Sequence, residues 1–437
     1  MAQPVARPRR RGARRAEILR AAGELFQRRG FHQVSMQDVA AAVEITAPAL
    51  YRHVRGKEEL LWAALAAALD GFEAALAPAL AEPAPTVDAL SRALAAATLD
   101  HRALGALMHR ETRHLGAERR AEADGRVRHV AEALAAALRR AGVPGEHGFR
   151  SWSALYTYGS VSLHGASLPR ARFERELAGW GEVLFTTPLT GGGAGAGAER
   201  VPEPGPGVPR EERPELPGDR RSVTDGQVSG GDGRVSAPPG PPPALSRREE
   251  LLRVAARLFH ERGFEAVSVS EIGAAVGIAG PSVYKHFGGK AEILEAAATR
   301  TRDRVRQAME GALTPPEAPG APDTPGADAP GAVLLRMLDA YADFAVAHAD
   351  NLGLISTGSA YLPEPGRREG LAFRREFVGT WTRLLAEARP ELDPVSAKIT
   401  VQAVVTLVND AVSNPPVRAR ADLADRLRVL GRALLAV

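Results

Sequence analysis

Apolar residues recur at three- to four-residue intervals through most of the chain, led by alanine and leucine, while the alternation of Val, Ile and Thr that marks strands is scarce. This patterning predicts an all-α protein. The first clear stripe is Ile18, Leu19, Ala22, Leu25 and Phe26, and it returns as Leu251, Leu252, Ala255, Leu258 and Phe259. A glycine follows each stripe, Gly30 or Gly263, where a helix ending in a left-handed residue favours glycine, with Phe31 or Phe264 placed to pack back on the helix end. The recurrence is an internal repeat: Glu17 to Leu61 aligns without a gap on Glu250 to Leu294, with about half the positions identical. The offset is constant, 263 − 30 = 233, and also pairs Pro48 with Pro281, Tyr51 with Tyr284, His53 with His286 and Lys57 with Lys290.

Within each copy a second helix opens on Ser35 and Asp38, or Ser268 and Glu271, the spacing of a capping box. Its apolar face, Val39 to Val43 or Ile272 to Val276, runs into a turn at Glu44-Ile45 or Gly277-Ile278. A third helix is expected from about Thr46 to His53, or Ala279 to His286, with Pro48 or Pro281 in its first turn, where a missing amide hydrogen is harmless. A fourth begins at Gly56-Lys57 or Gly289-Lys290, placing a cation beside the free amides of a helix start, an anion site suited to a DNA phosphate. The spacing is that of a helix-turn-helix. It divides the chain into two heads, 13–60 and 247–293, two helical regulatory domains, 61–187 and 294–437, a Gly/Pro-rich linker at 188–246 and a loop at 314–331.

Composition narrows the function. A chain of 437 residues exceeds one ordinary core, and 45% apolar with 25% charged residues is ordinary for a globular protein. Cysteine is absent, which excludes disulfides, thiolate metal sites and thiol catalysis. The formal charge is only +4, but Arg7, Arg9, Arg10, Arg11, Arg14 and Arg15 crowd the start, reading either as an arm for phosphates or as a solvated tail. No apolar run is expected to span a bilayer and no signal peptide is seen, so a cytoplasmic location is expected. His109 and His114 lie five apart, on different helix faces, which argues against a zinc pair. The glycines between Gly191 and Gly197 follow no predicted strand and make no nucleotide loop. No enzyme, metal or cofactor is expected.

The repeated residues resemble the TetR family of bacterial regulators: E-I-L-R-A-A-G-E-L-F-Q-R-R-G-F followed by S-M-Q-D-V-A-A-A-V-E-I-T-A-P-A-L-Y-R-H-V-R-G-K in the first copy, and G-I-A-G-P-S-V-Y-K-H-F-G-G-K-A-E-I-L in the second. The resemblance implies two tandem units, each a three-helix head with a helical ligand-binding and dimerisation domain. It implies that Thr46, Ala47, Ala49 and Arg52, and Gly280, Ser282 and Lys285, approach base edges in the major groove. Tyr51, His53, Lys57 and Ser35, like Tyr284, His286, Lys290 and Ser268, would grip phosphates, the alternative for the rings being packing inside the head. Two departures set the first head apart: Glu44 stands where the family has a turn glycine, and Val54 where it has Phe.

The resemblance further implies a repressor released from its operator by a small molecule, against the alternatives of a regulator without effector or of one head serving only assembly. Because the reading helices differ, an asymmetric pseudo-palindrome is expected. Candidate pairing helices are Trp152 to Ala166 with Phe173 to Phe185, and Ser396 to Val412 with Leu423 to Leu435. A flexible linker of some sixty residues averages roughly 40 to 45 Å, so the units can pair within one chain, and a homodimer with four heads is equally open. Bulky candidates for lining an effector pocket are Met108, Trp152, Tyr156, Tyr341, Phe344, Phe377 and Trp381, with Trp62, Tyr158, Tyr361 and Phe373, although large residues at helical spacing are usually packing.

Overall fold

A computed structural model of the chain describes residues 8–189, 246–314, 329–357 and 361–437. Most of the expected linker and loop, the 191–197 glycines and Arg7 lie outside the described residues. Among the described residues no strand occurs. Unit one runs α1 (Pro8–Arg29), α2 (Met36–Ala42), α3 (Ala47–Leu50), α4 (Lys57–Ala81), α5 (Val87–Asp100) and α6 (Ala103–Ala106). A π-helical turn (Leu107–Glu111) and a 3-10 turn (Thr112–His114) follow, then α7 (Ala117–Arg140), α8 (His147–Gly159), a 3-10 turn (Ser160–Leu163) and α9 (Arg170–Thr186). Unit two repeats the order as α10 (Arg247–Arg262), α11 (Val269–Ala275), α12 (Gly280–Val283), α13 (Lys290–Leu313), α14 (Pro330–Ala347), α15 (Ala349–Thr357), α16 (Glu364–Ala388), α17 (Pro394–Ser413), α18 (Pro415–Arg418) and α19 (Leu423–Leu435). α4 and α13 each run from a head into its regulatory domain, so the expected boundary at 60/61 falls inside a continuous helix.

The four helices singled out for pairing meet within the chain: α8 packs on α17 and α9 on α19. Two ionic clasps flank this interface. Asp393, the residue capping α17, pairs with Arg172 in the first turn of α9, and Ser396 Oγ donates to Glu176 at 2.8 Å. Glu146, the residue preceding α8, pairs with Arg426 in the first turn of α19 at 2.7 Å and with Arg420 at 2.9 Å. In each direction the residue preceding the first helix of one unit's pair meets an arginine in the first turn of the second helix of the other's, a reciprocal arrangement like that of an isologous contact. Hydrogen bonds, first from Ser396, hold the Asp393 carboxyl down to about 2.

α4 and α17 are long and apolar enough to cross a bilayer, which corrects the sequence expectation. Their apolar faces are used inside the protein instead. Ile399, Val404, Val408 and Val412 of α17 are fully buried, and α4 packs on α1, α5 and α7. The apolar core of head one runs without a break through both regulatory domains. Head two closes on a separate cluster that regulatory domain two joins through Leu354 and Leu362.

Candidate nucleic-acid interface

Each head is fixed by local devices repeated at the same offset. Ser35 Oγ accepts from the Asp38 amide at 3.1 Å while Asp38 accepts from the Ser35 amide at 2.7 Å, and Ser268 with Glu271 does the same at 3.2 and 2.8 Å. Both capping boxes read from the sequence are present. They hold Glu271 down to about 2, through the Ser268 bonds before all else. Arg14 and Arg247, also one offset apart, donate to the carbonyls of Val43 and Val276 at 2.6 and 3.1 Å, tying α1 and α10 to the ends of α2 and α11. The sequence had assigned Arg14 to a basic arm. Its equivalence to Arg247 was the available signal for this structural task.

Gly30 and Gly263 take φ of 80° and 82°. Gly263 pairs this with ψ of 152°, so the chain leaves the helix extended rather than left-handed helical as expected, in a region that glycine alone occupies freely. Phe31 and Phe264 do pack back, with ring centroids 5.8 Å from Phe26 and 5.3 Å from Phe259. In the helix-turn-helix itself, Gly277 has φ of 72° and Glu44 takes φ of 54°. The same left-handed turn is therefore kept in head one by a side chain that pays about 1–2 kcal/mol for it. Val54 and Phe287 are both buried, so the smaller residue keeps the anchoring position. The reading helices are shorter than expected. α3 ends at Leu50 because the next bonds tighten, Arg52 N to Ala49 O and His53 N to Leu50 O, and α12 ends likewise at Val283 with Lys285 N to Ser282 O and His286 N to Val283 O.

The expected DNA-facing side chains are all open to solvent at least in part. Tyr51 and Tyr284 are 52% and 57% exposed, so neither ring is packed inside its head. Thr46, Arg52, Lys285, His286, Ser35 and Ser268 are exposed, and Ala47, Ala49, Ser282 and His53 half-exposed. Gly280 has a packing reason as well: a Cβ there would lie 2.7 Å from Ser270 Oγ, where α12 crosses α11. Lys57 and Lys290 start their helices as expected, each 4.4 Å above the ring of Phe31 or Phe264. Lys290 also donates to the Phe264 carbonyl at 2.7 Å, so each lysine both braces its head and presents charge at a helix start.

Behind the heads the units touch. Arg113 lies 5.5 Å over Tyr361, which stacks on Phe264 at 4.7 Å, and His114 stacks on Phe31 at 4.7 Å. Burial, then Arg113 and other cations, pushes the His114 imidazole down to about 4. It is neutral in the folded chain at pH 7. Because its folded value lies below the ordinary one near 6.5, its stabilisation is complete above about pH 6.5 and lost as pH falls toward 4, at most about 3 kcal/mol. The melting temperature is expected to fall across that window, and His114→Gln to flatten part of the fall; an unchanged profile in the variant would remove His114 as the cause.

The seven bulky effector candidates stand in the apolar core or packed against it. Trp152 and Tyr156 stack on each other at 5.7 Å on α8, with the Asp410 carboxylate of unit two near enough to help burial raise the phenol. Tyr341, Phe377 and Trp381 form one aromatic cluster, with the Tyr341 hydroxyl donating to Asn409 at 2.7 Å. Phe344 is buried and Met108 packs against the core. A cavity of about 760 Å³ lies between α1, α4 and α6, walled by small residues such as Gly23, Ala64 and Ala68 and by polar and charged ones, Arg102 and Arg110 among them.

Two segments, 18–64 and 251–297, match the sequence model of the bacterial regulatory proteins of the tetR family. The two matched segments fall on the two heads, at the offset of 233 residues that the repeat shows. Among curated relatives, the chain is 36% identical over 85 residues to the HTH-type transcriptional repressor KstR2 of Mycolicibacterium smegmatis, covering 18% of this chain and 42% of that protein. It is 37% identical over 71 residues to the HTH-type transcriptional activator FasR of the same species, covering 15% and 32%. The chain thus spans less than half the length of the curated relatives it matches. A solved structure, the TetR family transcriptional regulator PfmR from Thermus thermophilus, aligns at 24% identity over 44% of this chain and 97% of that one, with a TM-score of 0.36.

Proposed function

We propose that the chain is a cytoplasmic, sequence-specific DNA-binding transcriptional regulator, a repressor released from its operator by a small molecule. Its two heads read the unlike half-sites of one asymmetric pseudo-palindrome. The observation that carries this reading is the reciprocal clasp of Glu146 with Arg426 and Asp393 with Arg172, which presents two heads as a pair from a single chain. The two faces then differ where bases are read, Thr46, Ala47, Ala49 and Arg52 against Ala279, Gly280, Ser282 and Lys285. Phosphates are held at both ends of each reading helix, by Ser35, Tyr51, His53 and Lys57 in one head and Ser268, Tyr284, His286 and Lys290 in the other.

Footprinting on the DNA upstream of the gene and its neighbours tests this. Wild type is expected to protect two unlike half-sites about one helical turn apart as a single chain in solution. Tyr51→Ala should thin protection of one half-site and Tyr284→Ala that of the other. Protection of a perfect palindrome by two chains, or indifference to both substitutions, would overturn the reading.

A further inference from the structure

We infer that the cavity behind head one is a binding site for a compact apolar molecule carrying one carboxylate, and that it acts on head one alone. The inference rests on the regulatory reading above and supplies the class and place of its effector. At about 760 Å³ the cavity has the size of a small-molecule site. Its walls are apolar where Leu19, Gly23, Ala64, Ala68, Ala103 and Leu107 meet. Charges of both signs stand at its edge, and its carboxylates already have partners, Glu24 with Arg20 and Arg28 and Asp100 with Arg170, while Arg102 and Arg110 bond to carbonyls. Arg102 donates to the carbonyls of Val161, His164 and Ala166, and among the described residues no carboxylate is one of its hydrogen-bond partners. Arg110 donates to the Gln27 carbonyl at 2.6 Å, and its Nε–H is buried without a partner among the described residues. A half-buried guanidinium whose buried Nε–H is unused, beside a hollow walled in part by apolar residues, fits an incoming carboxylate, which would satisfy that donor.

The same residues hold head one in place. One wall of the cavity is α1, the first helix of the head. The end of α1 is tied to the regulatory domain by Arg110 to Gln27 O, by Gln27 Nε2 to Ser162 O at 2.9 Å, and by the Phe31 amide to Glu111 Oε2 at 2.9 Å. A carboxylate drawn to Arg110 competes with the Gln27 carbonyl for it, and so loosens or re-aims α1. The ligand thereby distinguishes two positions of the head, as any effector must.

Among the described residues, unit two narrows the matching corner. With the repeat offset, Gly23 becomes 23 + 233 = 256, Ala256, which is 2% exposed, and Ala68 becomes 68 + 233 = 301, Thr301, also 2% exposed. Gln27 becomes 27 + 233 = 260, His260, whose ring lies so close to α15 that a Cβ on Gly353 would fall 2.2 Å from its Nδ1. α15 packs directly on α10, and at Leu252, Ala297 and Thr301, the equivalents of Leu19, Ala64 and Ala68, a hollow of only about 50 Å³ remains.

Decanoate, titrated into the full chain by calorimetry without DNA, tests the site. One decanoate is expected per chain, with neutral decanamide far weaker. Affinity should fall about 10- to 100-fold in Arg110→Gln, which loses a charged hydrogen bond, and fall steeply in Ala68→Phe, which fills the hollow. Circular dichroism shows whether each variant keeps its helices, so one folded variant suffices. No binding, two equal sites per chain, or binding unchanged in a folded variant would overturn the proposal. With DNA present, decanoate should release the half-site read by head one and leave the other protected; release of both together would refute the division. Absence of any footprint without decanoate would instead sink the regulatory reading, and leave the calorimetry standing.

Discussion

Tyr284→Ala combined with Lys285→Glu is expected to weaken operator binding by about 10²- to 10⁴-fold, far more than the contacts of two side chains. Once head one is seated, head two meets its half-site at the effective concentration set by their attachment, and losing one head forfeits that advantage whole. The double substitution also places a carboxylate at an exposed position of the reading face, so residual binding by head two is repelled rather than merely reduced. Affinity measured against salt concentration separates the two effects: the slope should become shallower as fewer phosphates are engaged. A loss below about tenfold, the size of one ordinary side-chain contact, would mean that the heads do not bind as a pair.

Arg426→Glu should destabilise the chain by about 3–5 kcal/mol, the cost of breaking a buried ion pair from one side. The Arg426 side chain is only 9% exposed, bonded to Glu146 and to Asp422 and lying over the Phe149 ring at 5.5 Å. Glutamate there would set a third carboxylate against two. The midpoint of urea unfolding reports the change, and Glu146→Arg in the same chain should recover part of it by reversing the pair. A shift under about 1 kcal/mol would class the clasp with screened surface pairs.

The heads were legible in the sequence because each of their devices is local. A serine three residues before an acid, a proline in a first turn and a glycine where φ turns positive each depend on neighbours a few positions away, and the repeat displayed every one twice. What was legible only in part was backbone detail. The early end of α3 and the extended ψ at Gly263 are set by how the chain leaves a helix, which residue types constrain loosely. The pairing helices were marked by apolar length, but nothing in the sequence matched Arg172 to Asp393, 221 residues away. The bulky side chains gave no sign of the cavity behind head one. Space is made by residues with small side chains, and Gly23, Ala64 and Ala68 read in the sequence as small positions of an alanine-rich helical pattern.

The reciprocal clasp between α8–α9 and α17–α19 also bears on dilution. A regulator assembled from two separate chains falls apart when its concentration drops below its own dissociation constant, and its operator occupancy then varies with the square of the amount of protein. Here the partner surface travels on the same polypeptide and is already covered. On the proposed reading a few copies per cell would remain competent, occupancy would rise in simple proportion to copy number, and the filled interface would leave little for a related chain to exchange with.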